Sequence, residues 1–492
     1  MNEIYFLDTS VRDGQQSLWA TRMTTAMMLP IAPVMDRAGY KAMDLLGTVE
    51  VDVCVRYLRE DPWERARLMH KAMPNTPLCG GFRSEGLTGF NIVPDSLVCL
   101  YIERLVANGI RELSILESLH DWDNIAGYVK AAKATGAPLS IPLVYCESPV
   151  HTDAYYAKCA ASLVKQLKPD TIRIKDPMGV ITPERIKTLV PAIQKKIGSV
   201  PIVLHSHCTT GLAPLAYLEA IKLGVKTLCT AVPPLANGNA QPSINNIILN
   251  ARRLGYNPQI DEEAVAAETA HFRYVAKREG KPEGAPVEYD LFQYQHQIPG
   301  GMMENMKVML VERKIGHRLP EILEEVALIR KEWGYPIMVT PFSQILATQA
   351  VINVMGGERY AMAPRETIMY ILELYGKSPG PIDQNVKDKV LGLPEASDML
   401  KWTPPQPTIK ELRERVGRTR ISDDELVLRL LFAQEHVDAT IAAGPIKTSY
   451  PRGDKPVMTL VEELMKHRKR SGYLHVRKGD FSFTMKNGVS TS

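Results

Sequence analysis

Residues 1–255 alternate two hydrophobic periods. Short apolar runs rich in β-branched residues occur at 4–10 (IYFLDTS), 42–46 (AMDLL), 78–83 (LCGGFR), 111–118 (RELSILES), 138–146 (PLSIPLVYC), 171–177 (TIRIKDP), 201–208 (PIVLHSHC) and 227–232 (TLCTAV). Between them lie stretches with helical spacing, among them DPWERARLMHKAM, PDSLVCLYIERLVANG, DAYYAKCAASLVKQL, TPERIKTLVPAIQKKI and LAPLAYLEAIKLG. Several of these open on Asp, Ser or Thr and close near Gly, as helix caps do. Eight strand–helix units in about 250 residues are the count and length of a (β/α)8 TIM barrel. An open doubly wound sheet is the alternative, but it rarely runs to eight regular units, and no GxGxxG follows the first strand.

The pattern changes twice more. Over 256–445 strand-like runs nearly vanish, and helical stretches separated by Pro- and Gly-rich joints take over: DEEAVAAETAHFRYVAKREG, LPEILEEVALIRKEWG, FSQILATQAVINVMGG, APRETIMYILELYG, TIKELRERVG. This predicts a mainly helical second region following the barrel of residues 1–255. Residues 446–492 form a basic tail, with ten Lys/Arg against four Asp/Glu for a charge of +6, which leaves −2 for the rest of a chain whose net charge is +4. In it KPVMTLVEELMKHRKR has the spacing of a short amphipathic helix, and YLHVRKGDFSFTM alternates like a hairpin around Lys-Gly-Asp.

Composition adds exclusions. With 45% hydrophobic and 23% charged residues the chain reads as an ordinary globular protein. Its small net charge gives no argument for nucleic acid. No apolar run is long enough for a membrane span, and the N-terminus lacks a basic segment followed by an apolar one, so neither a span nor a signal peptide is expected. The seven cysteines show no CxxC spacing and sit mostly in apolar runs, as reduced thiols of a cytoplasmic protein would.

Chemistry in such barrels sits where the strands end. The polar residues expected at that rim are Arg12, Asp13 and Gln16 after the first strand, Arg83 and Glu85 after the third, Lys175 and Asp176 on the sixth, and His205 and His207 on the seventh. His205 and His207 are two apart, so on a strand they face the same way. By itself a His-x-His is equally well a packed core histidine with an incidental neighbour. Joined by an acidic residue from another strand, two histidines can hold a divalent ion. Lys175 is the odd member, because a buried ammonium is costly unless paired or neutral. Either it pairs with a carboxylate, or it is carbamylated and becomes a carboxylate-like ligand.

Three stretches carry a family resemblance: DTSVRDGQQSL, IRIKDPMGV and LHSHCTTG. They resemble the signature stretches of the carboxyltransferase domain of biotin-dependent pyruvate carboxylases, of transcarboxylases and of oxaloacetate decarboxylase α subunits, and more distantly of the hydroxymethylglutaryl-CoA lyase superfamily. HQIPGGMMENM, VTPFSQILATQAVINVMGGERY and LYGKSPGPID resemble the carboxylase region that follows the barrel in those proteins, so the likeness spans roughly residues 4–440.

The resemblance implies a carboxyltransferase that moves CO2 between carboxybiotin and an enolisable acceptor such as pyruvate or another 2-oxo acid. It implies Asp13, Lys175, His205 and His207 as ligands of Zn²⁺, Mn²⁺ or Co²⁺, with Lys175 carbamylated. It places Arg83 on the acceptor's carboxylate and Gln16 near the acceptor's oxygen, with Arg12 beside them. The pattern departs from the family at three places. Asn239 stands where the family has a proton-shuttling threonine, Cys208 where it has aspartate, and LESLH brings Glu117 and His120 in place of FDxLN. Cys208 and His120 are then candidates for the relay, and Glu117 and His120 for an altered substrate pocket. FTMKNGVSTS has Met485-Lys486 but no following Met, so biotin is expected on a separate carrier protein, with biotin carboxylase or decarboxylase subunits as further partners and a homodimeric core. A biotin-independent lyase or condensing enzyme of the same barrel superfamily, and a degenerate barrel serving only as scaffold, are the other readings.

Overall fold

The computed structural model describes residues 2–451, apart from Glu85 and Thr419, together with 473–479, 481–486 and 489–491. Eight parallel strands close into a barrel: β1 (Glu3–Asp8), β2 (Ala42–Leu46), β3 (Leu78–Arg83), β4 (Glu112–Leu116), β5 (Leu139–Val144), β6 (Thr171–Asp176), β7 (Ile202–Ser206) and β8 (Thr227–Thr230). Neighbours follow chain order, and β1 pairs with both β2 and β8, which closes the cylinder. This is the expected fold, and the open-sheet alternative is excluded.

The helices between strands begin where the sequence places caps. Asp61 accepts the Trp63 N–H ahead of Pro62–Ala72, Thr152 accepts that of Tyr155 ahead of Asp153–Leu167, and Thr182 accepts that of Arg185 ahead of Pro183–Ile197. Such side chains satisfy amides that the first helical turn leaves unpaired, each worth about 1 kcal/mol.

Side chains alternate along each strand, and this fills the barrel in layers. Leu7, Ala42, Cys79, Val203 and Cys229 form an apolar layer. One step further along the strands, on the same face, come Asp44 on β2 and Lys175 on β6, with His205 paired to Lys175 in register on β7. The interior therefore changes from apolar to charged toward the strands' C-terminal ends.

Residues Met1–Ile446 make one compact unit. Within it the helices after the barrel include Glu262–Glu279, Gly300–Glu312, Leu319–Glu332, Phe342–Gly356, Arg365–Ile371 and Ile409–Val416. Their return onto the barrel is fixed by Asp424, whose carboxylate accepts from Arg104 Nε at 2.7 Å and Asn108 Nδ2 at 2.8 Å. Its carbonyl accepts from Trp63 Nε1 at 3.1 Å. A short strand pair, Glu3 with Asn257 and Ile4 with Pro258, adds to β1 at the start of the region expected to be mainly helical.

The second unit, Lys447–Ser492, holds the expected hairpin, Tyr473–Lys478 antiparallel to Phe481–Lys486, joined through Gly479 at φ +58°, with a third strand Val489–Thr491. The expected helix over 455–470 lies outside the described residues.

Candidate metal centre and rim cavity

Past β1 the chain coils through a wide turn, Ser10–Gly14, before the helix Gln15–Trp19. That turn folds Asp13 inward over the ends of β6 and β7. Asp13 Oδ2 lies 3.1 Å from His205 Nε2, Oδ1 lies 3.6 Å from His207 Nε2, and the two Nε2 atoms are 3.3 Å apart. Among the described residues this is the His/Cys/Asp/Glu group whose ligand atoms converge as a metal site requires, and all three members are buried.

The outer contacts fix what this cluster can hold. His207 Nδ1 lies 2.6 Å from the Asn239 carbonyl, which can only accept, so Nδ1 donates there and Nε2 is the nitrogen turned toward the cluster. Burial brings the His205 pKa down to about 3 against the pull of Asp13, so this ring is neutral. Burial would raise the Asp13 carboxyl, but the Arg12 guanidinium, with the two histidines, holds it well below the usual carboxylate range. An ionised carboxylate and two imidazole Nε2 atoms converging on one point form a donor set that suits a divalent cation. Gln241 closes one side, its Nε2 at 2.9 Å and 3.2 Å from the two Nε2 atoms and its Oε1 accepting from Thr9 Oγ1 at 2.8 Å.

Lys175 Nζ stands 3.8 Å from Asp13 Oδ2. Burial and the neighbouring Arg12 lower its pKa, and Asp13 opposes them. Arg12 bridges two carboxylates, Nη2 lying 2.8 Å from Asp13 and 3.1 Å from Asp44. Arg173 Nη1 reaches Asp44 at 3.2 Å from β6. Arg173, Lys175 and Arg12 thus concentrate positive charge beside the metal-ligand candidates, with Asp44 as counter-ion.

Above this lies an inner cavity of about 140 Å³ lined by Arg12, Gln16, Arg83, Lys175, Thr340 and neighbours. An outer cavity of about 600 Å³ shares those five residues and adds Asp13, His207 and Gly300. Arg83 donates through Nε and Nη2 to the Leu87 carbonyl at 3.1 and 2.7 Å, while Nη1 is buried without a hydrogen-bond partner among the described residues. Burial brings its pKa down to about 10, so it stays cationic at neutral pH. Gln16 Oε1 accepts from Arg12 Nη1 at 3.5 Å.

The other expected site residues are placed differently. Cys208 is buried, burial pushes its thiol pKa up, and it lines neither cavity. Glu117 folds back on its own loop, accepting the amides of Leu119 and Asp121 at 2.9 and 2.7 Å. His120 sits among Trp122, Tyr155 and Tyr156, with Nε2 accepting the Val144 amide and Nδ1 against Tyr155 Oη. Neither of these two lines the cavities: Glu117 is held by its own loop's amides, and His120 by Val144 of β5 and by Tyr155. Asn239 packs its side chain against Gly300 and meets the site through its main-chain carbonyl. Asp176 turns away from Lys175 and accepts from Val180, Ile181 and Ser206. Asp44, Arg173 and Gln241 are site neighbours that sequence reasoning did not single out. The spacing Arg173-x-Lys175 on one strand is the signal that could have revealed the first pair.

Two family models match parts of the chain. Residues 115–270 match the HMGL-like family model, and 294–449 match the conserved carboxylase domain. A relative named as a pyruvate carboxylase subunit, from Methanocaldococcus jannaschii, is 37% identical over 454 residues, covering 90% of this chain and 79% of its own length. The chain belongs to the carboxyltransferase family of HMGL-like TIM barrels. Within that family, the 2-oxoglutarate carboxylase large subunit of Hydrogenobacter thermophilus is 33% identical, covering 89% of this chain and 68% of its own length. The carboxyl transferase domain of Rhizobium etli pyruvate carboxylase, solved with pyruvate, superposes with a TM-score of 0.82 at 21% identity, over 100% of this chain and 84% of that one. No described helix is long and apolar enough to cross a membrane.

Proposed function

We propose that the chain is the carboxyltransferase subunit of a biotin-dependent carboxylase or decarboxylase, moving a carboxyl group between carboxybiotin and a 2-oxo acid. The observation that carries this reading is the convergence of Asp13, His205 and His207, two of which, Asp13 and His207, line the outer cavity together with Arg83 and Gln16. Asp13, His205 and His207 would hold Zn²⁺, Mn²⁺ or Co²⁺, and the ion would supply a Lewis acid for the oxygen on which enolate charge develops. A carbamate on Lys175 would complete the set. Lys175 Nζ, 3.8 Å from Asp13 and beside Arg12, stands where an anionic group would be stabilised.

This chain's own groups account for the remaining requirements. Arg83 stays cationic, and its Nη1 has no hydrogen-bond partner among the described residues, so it can meet the acceptor's carboxylate. Gln16 can orient the carbonyl. Arg12 holds Asp13 ionised and turned toward the histidines. The buried floor and the walls contributed by Val339 and Thr340 limit water, which strengthens every charge interaction at the site. The relatives' names speak of pyruvate and of 2-oxoglutarate, and both name one subunit of a larger enzyme, which supports a 2-oxo acid acceptor and further subunits. We assign biotin to a carrier protein, the other subunits to a biotin carboxylase or decarboxylase activity, the core to a homodimer, and the compartment to the cytoplasm. Residues 1–255 and 256–445 are read as the barrel and carboxylase domains, with 446–492 as a tail.

The test is isotope exchange between labelled pyruvate and oxaloacetate, and the same with 2-oxoglutarate and its carboxylation product, in the presence of free biotin, together with a biotin blot of proteins co-purifying with the native chain. Biotin-dependent exchange on one of the acids is expected. Absence of exchange on both, with no biotinylated partner, would overturn the reading.

A further inference from the structure

Transfer of a carboxyl group to a 2-oxo acid has to remove a proton from the carbon beside its carbonyl. Asn239 has no proton to exchange near neutral pH, and Cys208 and His120 do not line the cavities. Glu50 does. It sits in the helix Thr48–Val53 after β2, is fully buried, and lines the inner cavity with Arg12, Gln16, Arg83 and Lys175.

Its two oxygens differ. Oε2 accepts the Gly47 amide at 2.9 Å, whereas Oε1 is buried with no hydrogen-bond partner among the described residues. Leaving a buried carboxylate oxygen unpaired is costly, and native proteins seldom carry one. Gly47 keeps the group in place, since a Cβ there would lie 2.6 Å from Glu50 Oε2 and 3.4 Å from Arg12 Cδ. The carboxylate therefore flanks the arginine that holds Asp13.

We propose, resting on the function above, that Glu50 is the proton carrier of the carboxyl transfer. The C–H bond beside the acceptor's carbonyl breaks, its electron pair forms the enolate, and the proton passes to the Glu50 carboxylate. Once the enolate carbon has bonded to CO2, Glu50 returns the proton to the ureido nitrogen that has lost its carboxyl group, and ends ionised as it began. Burial pushes the Glu50 pKa up to about 7, against Arg12, which suits a group that takes and gives a proton near neutrality. The other charged groups lining the cavity are Arg12, Asp44, Arg83, Arg173 and Lys175.

Glu50→Gln keeps an acceptor for the Gly47 amide and removes the proton exchange. The measurement is loss of methyl hydrogens from pyruvate, or of C3 hydrogens from 2-oxoglutarate, in D2O with free biotin, followed by NMR, alongside calorimetric affinity for the same acid and bound metal. Expected is an exchange rate lower by about hundredfold or more, with affinity and metal content unchanged within twofold. If Glu50→Gln does not fold, Glu50→Ala is read instead, and added formate should restore exchange by entering the vacated space. Exchange at the wild-type rate in Glu50→Gln, or no rescue of Glu50→Ala by formate, would overturn the proposal. Absence of exchange in the wild-type protein would overturn the carboxyltransferase reading itself.

Discussion

Gly300→Ala tests how the metal centre is held from outside its ligands. A Cβ on Gly300 would lie 2.0 Å from Asn239 Oδ1, 2.3 Å from its Cγ and 2.9 Å from its Cβ. Carbon atoms pack at about 3.5 Å or more, so the overlap with Cγ is about 1 Å. Turning the amide does not relieve it, because Asn239 Cβ is also too close. The main chain of Asn239 has to move, and its carbonyl is what receives the His207 Nδ1 proton at 2.6 Å. Losing such a partner of a ligating histidine costs about 10–100-fold in metal affinity, or about 1.4–2.7 kcal/mol. Competition against a chromophoric chelator measures this, with thermal unfolding in chelator as the control for global stability. The double variant Gly300→Ala/Asn239→Gly removes Oδ1, Cγ and Cβ, and with them all three contacts, so it should regain most of the affinity. Wild-type affinity in Gly300→Ala, or a double variant no better than the single one, would refute the reasoning.

Three further outcomes follow from the geometry. Arg83→Lys should raise KM for the 2-oxo acid about tenfold or more while leaving bound metal unchanged, because lysine cannot hold the Leu87 carbonyl and a carboxylate with one planar group; steady-state kinetics with metal analysis checks it. Arg173→Met should destabilise the protein by about 3 kcal/mol in urea unfolding, since it strips a buried partner from Asp44. Asp8 is raised from 3.8 to about 7, by burial first and then by Asp44, against its hydrogen bonds with Ser10. The folded state therefore binds the extra proton, and stability from this group is full below about pH 4 and declines as pH rises toward 7. Asp8→Asn should flatten that decline, read from urea midpoints across the interval.

The barrel was legible because its strands are buried on both faces and read as unbroken apolar runs, and because the helices between them are amphipathic and capped. His205 and His207 were legible because residues two apart at the end of an apolar strand share a face, and Asp13 because it follows the first strand into the rim loop. Asp44 stands singly in AMDLL and Arg173 shares TIRIKDP with Lys175 and Asp176, and neither pattern discloses which partner crosses the barrel to meet it. Gln241 arrives from a loop whose path no periodicity determines. Glu117 and His120 misled for the same reason. Their polarity was visible, but not the loop amides that take Glu117 or the Val144 amide of β5 that takes His120, itself lying at φ +60°.

The central claim is that a divalent ion between Asp13, His205 and His207 drives enolate chemistry on a 2-oxo acid. It is tested most directly by following decarboxylation of oxaloacetate, and of the carboxylation product of 2-oxoglutarate, with free biotin, in the metal-loaded protein, in the chelated protein and in His207→Ala. The account predicts biotin-stimulated release of the 2-oxo acid in the first, loss of it in the second with recovery on adding back Zn²⁺, Mn²⁺ or Co²⁺, and loss without recovery in the third. Equal rates in all three preparations would contradict it.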